Sequence, residues 1–238
     1  MMKKRFAIFG GTFDPWTKAH QWIVNQVIDN DIADVVIISP TIVDWHRAGK
    51  DKWLSDEDKS QVIESALEAN GWMCHEFDHQ DDIKDGIKEF FRVKDSKKVI
   101  LSTRDFLKRD MLKKSEEQSG IVNEMISGHR FIHTLIDLKL AFGMKNDWNV
   151  IIGTDSIKHF RSWYQSNDII NNASIVGVDG RDDDNLNKND YEFVKTWIKA
   201  PEELMHISAS KLREEYRNEK DGANMYILNE FQQEEKDN

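Results

Sequence analysis

FAIFGGTFDPWTKAH, residues 6–20, decides how the rest of this 238-residue chain is read. Four apolar residues, Phe6, Ala7, Ile8 and Phe9, stop at Gly10-Gly11, and a polar turn with Asp14-Pro15 follows. An apolar-periodic stretch carrying Trp22, Ile23, Val27 and Ile28 comes next. The order is strand, glycine turn, helix start. Such a junction presents backbone N–H groups where the helix dipole also favours an anion. Gly10 and Gly11 lack the Cβ atoms that would keep a phosphate from the main chain. Thr17 and His20 are three apart and share a face of the first helical turn. A hydroxyl and an imidazole there both suit phosphate. Taken singly, the glycine pair also reads as a tight turn and the histidine as a surface residue.

Outward from this turn, short β-branched runs alternate with amphipathic ones. The pattern predicts strands at 6–9, 35–39, 72–77, 99–102, 150–152 and 174–178. It predicts helices at about 17–29, 56–69, 105–114, 121–142, 156–164, 191–198 and 209–218. Ser55 followed by Asp58 is a start signal for the second helix. Continuous apolar strands separated by helices imply an α/β fold, a doubly wound, mostly parallel sheet with helices on both faces. Ligands of such sheets sit beyond the carboxyl ends of the strands. The turn at 10–17, the loop after Ser39 and the turn after Ile152 all belong to that edge. The chain reads as a single domain, 1–238, with an insertion at about 94–127.

Bulk properties narrow the partners. A net charge of -10 argues against nucleic acid or an anionic membrane surface. With 39% hydrophobic and 32% charged residues, the composition is that of a soluble protein. Cys74 is the one cysteine, so no internal disulfide or cysteine-based zinc cage forms, which suits a reducing compartment. Between Trp72 and Phe77 it reads as a small core residue. No run is long enough to span a bilayer, and the basic residues 3–5 lead into glycines rather than a secretory signal. A cytoplasmic location is expected. The sequence leaves a homo-oligomer open.

Two further stretches carry chemistry. In Ile207-Ser208-Ala209-Ser210-Lys211-Leu212-Arg213, Ser208 caps a helix, Ser210 sits in its first turn and Arg213 adds a cation. The group forms a second anion clamp, or else a capped surface helix. In the second stretch, Gly153 and Asp155 follow the run Val150, Ile151 and Ile152, with Trp163 eight residues after the aspartate. Gly153 allows close backbone approach, Asp155 accepts hydrogen bonds from a ribose, and Trp163 offers a flat face. Equally, Trp163 reads as core and Asp155 as a helix cap.

Together these stretches resemble the nucleotidyltransferase superfamily. The GGTFDP run leads into Thr17-Lys18-Ala19-His20, like its T/HxGH tetrad, with Ala19 in place of the usual Gly. Residues 207–213 are similar to its ISSTxxR motif, with Ala209 replacing one Ser. The pattern from Gly153 to Trp163 resembles GxDxxxxxxxW of the nicotinate/nicotinamide mononucleotide adenylyltransferases. His46-Arg47 resembles a His-Lys pair of that family, and residues 131–138 its SYTIDTLREL helix, with Thr134 as the matching hydroxyl.

The resemblance implies a Rossmann-like fold and an enzyme joining ATP to a pyridine mononucleotide. His20, Thr17 and Arg213 would be catalytic. Gly10, Gly11, Thr12, Phe13, Ser208, Ser210, Arg213 and Arg47 would join His20 in holding ATP. Thr134, Gly153, Asp155, Trp163 and His46 would hold the mononucleotide. Mg2+ would be bound mainly through phosphates and waters, with no dedicated protein ligands. Phosphopantetheine adenylyltransferase and a non-catalytic nucleotide sensor remain as alternatives. No G-x-G-x-x-G run follows the first strand, against an NAD-dependent oxidoreductase.

Overall fold

The computed structural model describes residues 3–40, 54–75, 86–92, 95–106, 130–180, 187–205, 207 and 212. β1 (Arg5–Gly11) leads through the glycine turn into α1 (Lys18–Asp29) and back to β2 (Val35–Pro40). α2 (Asp56–Ala69) precedes the edge strand β3 (Met73–Cys74), its neighbour β4 (Ile87–Phe91), and then β5 (Lys98–Ser102). α3 (Phe131–Phe142), β6 (Asp147–Gly153), the short α4 (Thr154–Ile157) and α5 (Ser166–Asn172) follow. The described chain closes with β7 (Ser174–Asp179), β8 (Val194–Lys199) and α6 (Glu202–Met205).

The sheet runs β3-β4-β5-β2-β1-β6-β7-β8. Every neighbouring pair from β5 to β8 is parallel, while β4 runs antiparallel to both β3 and β5. From β1 the chain first winds outward through β2 to β5, then returns to lay β6 on the other side of β1. The strand order therefore reverses between β1 and β6, where a doubly wound sheet opens its crevice.

The middles of the central strands, residues 6–9 of β1, 35–38 of β2 and 150–152 of β6, are continuously apolar because both faces are covered. Ala7, Phe9, Val36 and Ile38 meet Val24, Val27 and Ile28 of α1 and Ile63 and Leu67 of α2. Phe6, Ile8, Val35 and Ile37 point the other way, toward Ile132, Leu135 and Leu138 of α3 and Ile169 of α5. Ser55 and Asp58 form the expected capping box at the start of α2.

At the amino ends of the strands a charge cluster joins three of them. Arg5 reaches Asp31 at 2.8 Å and Asp34 at 2.7 Å, and Lys97 reaches the same two carboxylates at 2.6 and 2.8 Å. The hydrogen bonds from Arg5 and then Lys97 hold Asp31 well below the ordinary carboxylate range. Asp34 is lowered in the same way, chiefly by Arg5.

Four expectations change. The helix expected at 191–198 is β8, preceded by a 3-10 turn at Lys188–Tyr191. Val194 and Ile198 are the buried pair, and a spacing of four fits a helix face and a strand face alike. Cys74 is exposed rather than core, because β3 is the two-residue outer edge of the sheet. The helix expected at 156–164 divides into α4 and a 3-10 turn at Phe160–Ser162. β4, unforeseen, pairs antiparallel with β5, the strand expected at 99–102, and so makes that strand internal to the sheet.

Candidate active site

β1 pairs Gly10 with Ser39 and Gly11 with Pro40, so the glycine turn begins level with the end of β2. A Cβ on Gly11 would stand 2.7 Å from Cε1 and 2.9 Å from Cζ of Phe13. The space a side chain would take at Gly11 is thus filled by the Phe13 ring. Phe13 itself has φ of 45°. A non-glycine residue there is strained by about 1–3 kcal/mol and needs its surroundings to hold it. Its ring, 2% exposed, packs against Phe9 and Trp16. Any part Phe13 plays toward ATP therefore falls to its backbone.

Thr17 is the N-cap of α1, extended at φ -128° and ψ 163°. Its hydroxyl accepts the His20 N–H at 3.3 Å, and its own N–H donates to His20 Nδ1 at 3.0 Å. Because Nδ1 accepts a backbone hydrogen, the neutral imidazole carries its proton on Nε2. The ring is walled by Phe13 at 5.2 Å, Trp16 at 5.3 Å and Phe9 at 5.9 Å between centroids. His20 is half-buried and fixed in direction, while Thr17 is buried and serves first to orient it.

The first turn of α1 contains no acidic residue and includes Lys18, whereas α2 begins with Asp56, Glu57 and Asp58. Helix dipole and side-chain charge together favour an anion at α1 and oppose one at α2. Thr12 is exposed beside that start.

Across the crevice, β1 and β6 pair Phe9 with Ile151, a register that two residues further on sets Gly11 level with Gly153. Gly153 caps α4, and a Cβ there would lie 2.9 Å from Asp155 Oδ1. The carboxylate folds over the glycine and accepts the Ser156 N–H at 2.8 Å, leaving Asp155 exposed at the crevice edge. Trp163 is half-buried against Phe160 at 5.3 Å and Phe131 at 5.7 Å, so it is partly core and partly open face. Thr134 is 4% exposed and donates its hydroxyl to buried Asp105 at 3.0 Å. His46, Arg47, Ser208, Ser210 and Arg213 lie outside the described residues.

Three polar groups went unread in the sequence. Asp105 sits just past β5, where a carboxylate one turn beyond a strand was the available signal. Asp14, fully buried, accepts the Leu54 N–H at 2.9 Å. His133 repeats the His20 device at α3, with Nδ1 accepting the Arg130 N–H at 3.2 Å.

A family model described as cytidylyltransferase-like matches residues 8–215, taking in both the glycine turn and the crevice. The chain belongs to the cytidylyltransferase-like family. Two relatives of this family member are each named as a probable nicotinate-nucleotide adenylyltransferase. That of Fusobacterium nucleatum is 28% identical, covering 91% of this chain and 90% of its own. That of Lactococcus lactis is 21% identical over 89% and 83%. The nicotinic acid mononucleotide adenylyltransferase of Plasmodium falciparum, solved with NaAD, shares the fold of this cytidylyltransferase-like chain. Its TM-score is 0.51 at 15% identity, over 89% of this chain and 83% of that one.

Proposed function

We propose that this protein transfers the adenylyl group of ATP to a pyridine mononucleotide, with nicotinate mononucleotide as the preferred acceptor. The observation that carries the reading is the seat of His20: an imidazole at the acid-free start of α1 whose Nδ1 is held by the Thr17 N–H, so that Nε2 carries the proton. The relatives' names support the choice of a nicotinate acceptor. The match over 8–215 supports a single catalytic domain.

An acceptor phosphate oxygen attacks the α-phosphorus in line. The bond from that phosphorus to the β-phosphate oxygen breaks, and pyrophosphate leaves. The nucleophile is already an anion, so no general base is needed, and positioning with charge neutralisation supplies the catalysis. His20 donates to the transferred phosphate, while backbone N–H groups of the glycine turn and α1 cradle the triphosphate. Arg213, Ser208, Ser210 and Arg47 are read as the clamp on its outer phosphates. Gly153, Asp155, Trp163, Thr134 and His46 are read as the acceptor's side of the crevice. With its hydrogen given to Asp105, the Thr134 hydroxyl would meet the acceptor as a hydrogen-bond acceptor. Magnesium would be held chiefly by the ATP phosphates and water rather than by protein side chains, and would supply neutralisation of phosphate charge. Among the described residues no group of three His, Cys, Asp or Glu could hold a metal ion alone.

The test incubates purified protein with ATP, magnesium and either nicotinate mononucleotide, nicotinamide mononucleotide or phosphopantetheine, measuring pyrophosphate and product mass. A dinucleotide from nicotinate mononucleotide, formed faster than from the amide, is the expected result. Product from phosphopantetheine alone, or ATP binding with no pyrophosphate from any acceptor, would overturn the proposal.

A further inference from the structure

Phe13, at φ 45°, is strained, and its ring forms part of the wall around His20. Something must hold that backbone. The next residue, Asp14, is fully buried, and its carboxylate accepts the N–H of Leu54, 40 positions away. Leu54 directly precedes Ser55, the N-cap of α2. The anchor is therefore a rigid one: a capping box fixes the helix, and the helix start fixes the carboxylate. Asp14 also lies between Phe13 and Trp16, the two rings closest to the imidazole.

We propose that Asp14 is a positioning residue: by accepting the Leu54 N–H it holds the left-handed Phe13 backbone, and so the ring wall that keeps His20 in one orientation and one tautomer. The inference rests on the proposed role of His20 as donor to the transferred phosphate. If the wall loosens, the imidazole exchanges the Thr17 N–H for water and populates both tautomers. A ring displaced by about 1 Å can lose 10- to 100-fold in turnover.

The experiment labels the protein with 15N-histidine and follows the imidazole nitrogens of His20, assigned by loss of its signal in His20→Ala. In the wild type a pure Nε2–H tautomer is expected. Asp14→Asn keeps an acceptor oxygen, so it should retain that tautomer and turnover within a few-fold. Asp14→Ala should show mixed tautomers and a roughly 10- to 100-fold lower kcat, with the KM for ATP much less affected. Should Asp14→Ala not fold, Leu54→Pro removes the donor, keeps the carboxylate and should produce the same mixing. A folded Asp14→Ala or Leu54→Pro protein with an unmixed His20 tautomer overturns the proposal, whatever its turnover. So does an Asn variant as impaired as the Ala one. Failure of the wild type to release pyrophosphate would instead count against the adenylyl transfer reading, and the imidazole spectra would still decide the role of Asp14.

Discussion

Gly11→Ala adds a single methyl group at the end of β1. Its Cβ would stand 2.7, 2.9 and 3.2 Å from three carbons of the Phe13 ring. That ring has little room to retreat, being 2% exposed and in contact with Phe9, Trp16 and His20. Overpacking of this kind costs about 1–3 kcal/mol. For a chain of this length that is roughly 2–12 °C in melting temperature. Phe13→Ala alone should cost about 3–5 kcal/mol through the lost ring. Once the ring is gone the methyl has nothing to strike, so the double variant should be about 1–3 kcal/mol more stable than the sum of the singles predicts. Urea unfolding of the four proteins closes the cycle. Additive costs, or a Gly11→Ala protein as stable as the wild type, would refute the assignment of Gly11 to ring packing.

His20→Ala should lower turnover by about 10²–10³ while ATP binding, followed by calorimetry, largely survives. Ser55→Ala removes the cap of α2 and should cost about 0.5–2 kcal/mol in urea unfolding, with little change in kcat. Asp31 and Asp34 have folded pKa values below the ordinary carboxylate value, so their stabilisation is complete above about pH 4 and is lost as pH falls below it. Asp34→Asn should therefore lower the melting temperature at pH 7 and flatten its decline between pH 4 and 2, measured by thermal scans across that range.

Local chemistry was legible where a residue's role depends on its neighbours in sequence. Ser55 and Asp58 fix the start of α2, and the Thr17–His20 pair needs only one helical turn to form. Residues 6–9 of β1 and 35–38 of β2 are apolar at every position because both faces are buried, so they stood out as well. What failed depended on distance. Nothing near Cys74 says that its strand lies at the rim of the sheet. The bond from Thr134 to Asp105 could not be read, because the partner lies 29 positions earlier. That Gly11 also makes room for the Phe13 ring could not be read, because the backward fold of that ring is a three-dimensional fact. Val194 and Ile198 misled for another reason: their spacing suits two periodicities, and the β-branched and aromatic residues between them were the overlooked arbiter.

Arg5, Asp31, Asp34 and Lys97 fasten the beginnings of β1, β2 and β5 at the pole opposite the glycine turns. Strand origins are thereby set independently of whatever the other pole carries. Loops there inherit their launching points instead of defining them, and those that carry neither Asp14 nor Leu54 can be rewritten or lengthened without shifting the strand ends on which the imidazole's seat is built. Redesign toward a different acceptor would leave this ionic clasp intact and confine its edits to the far rim.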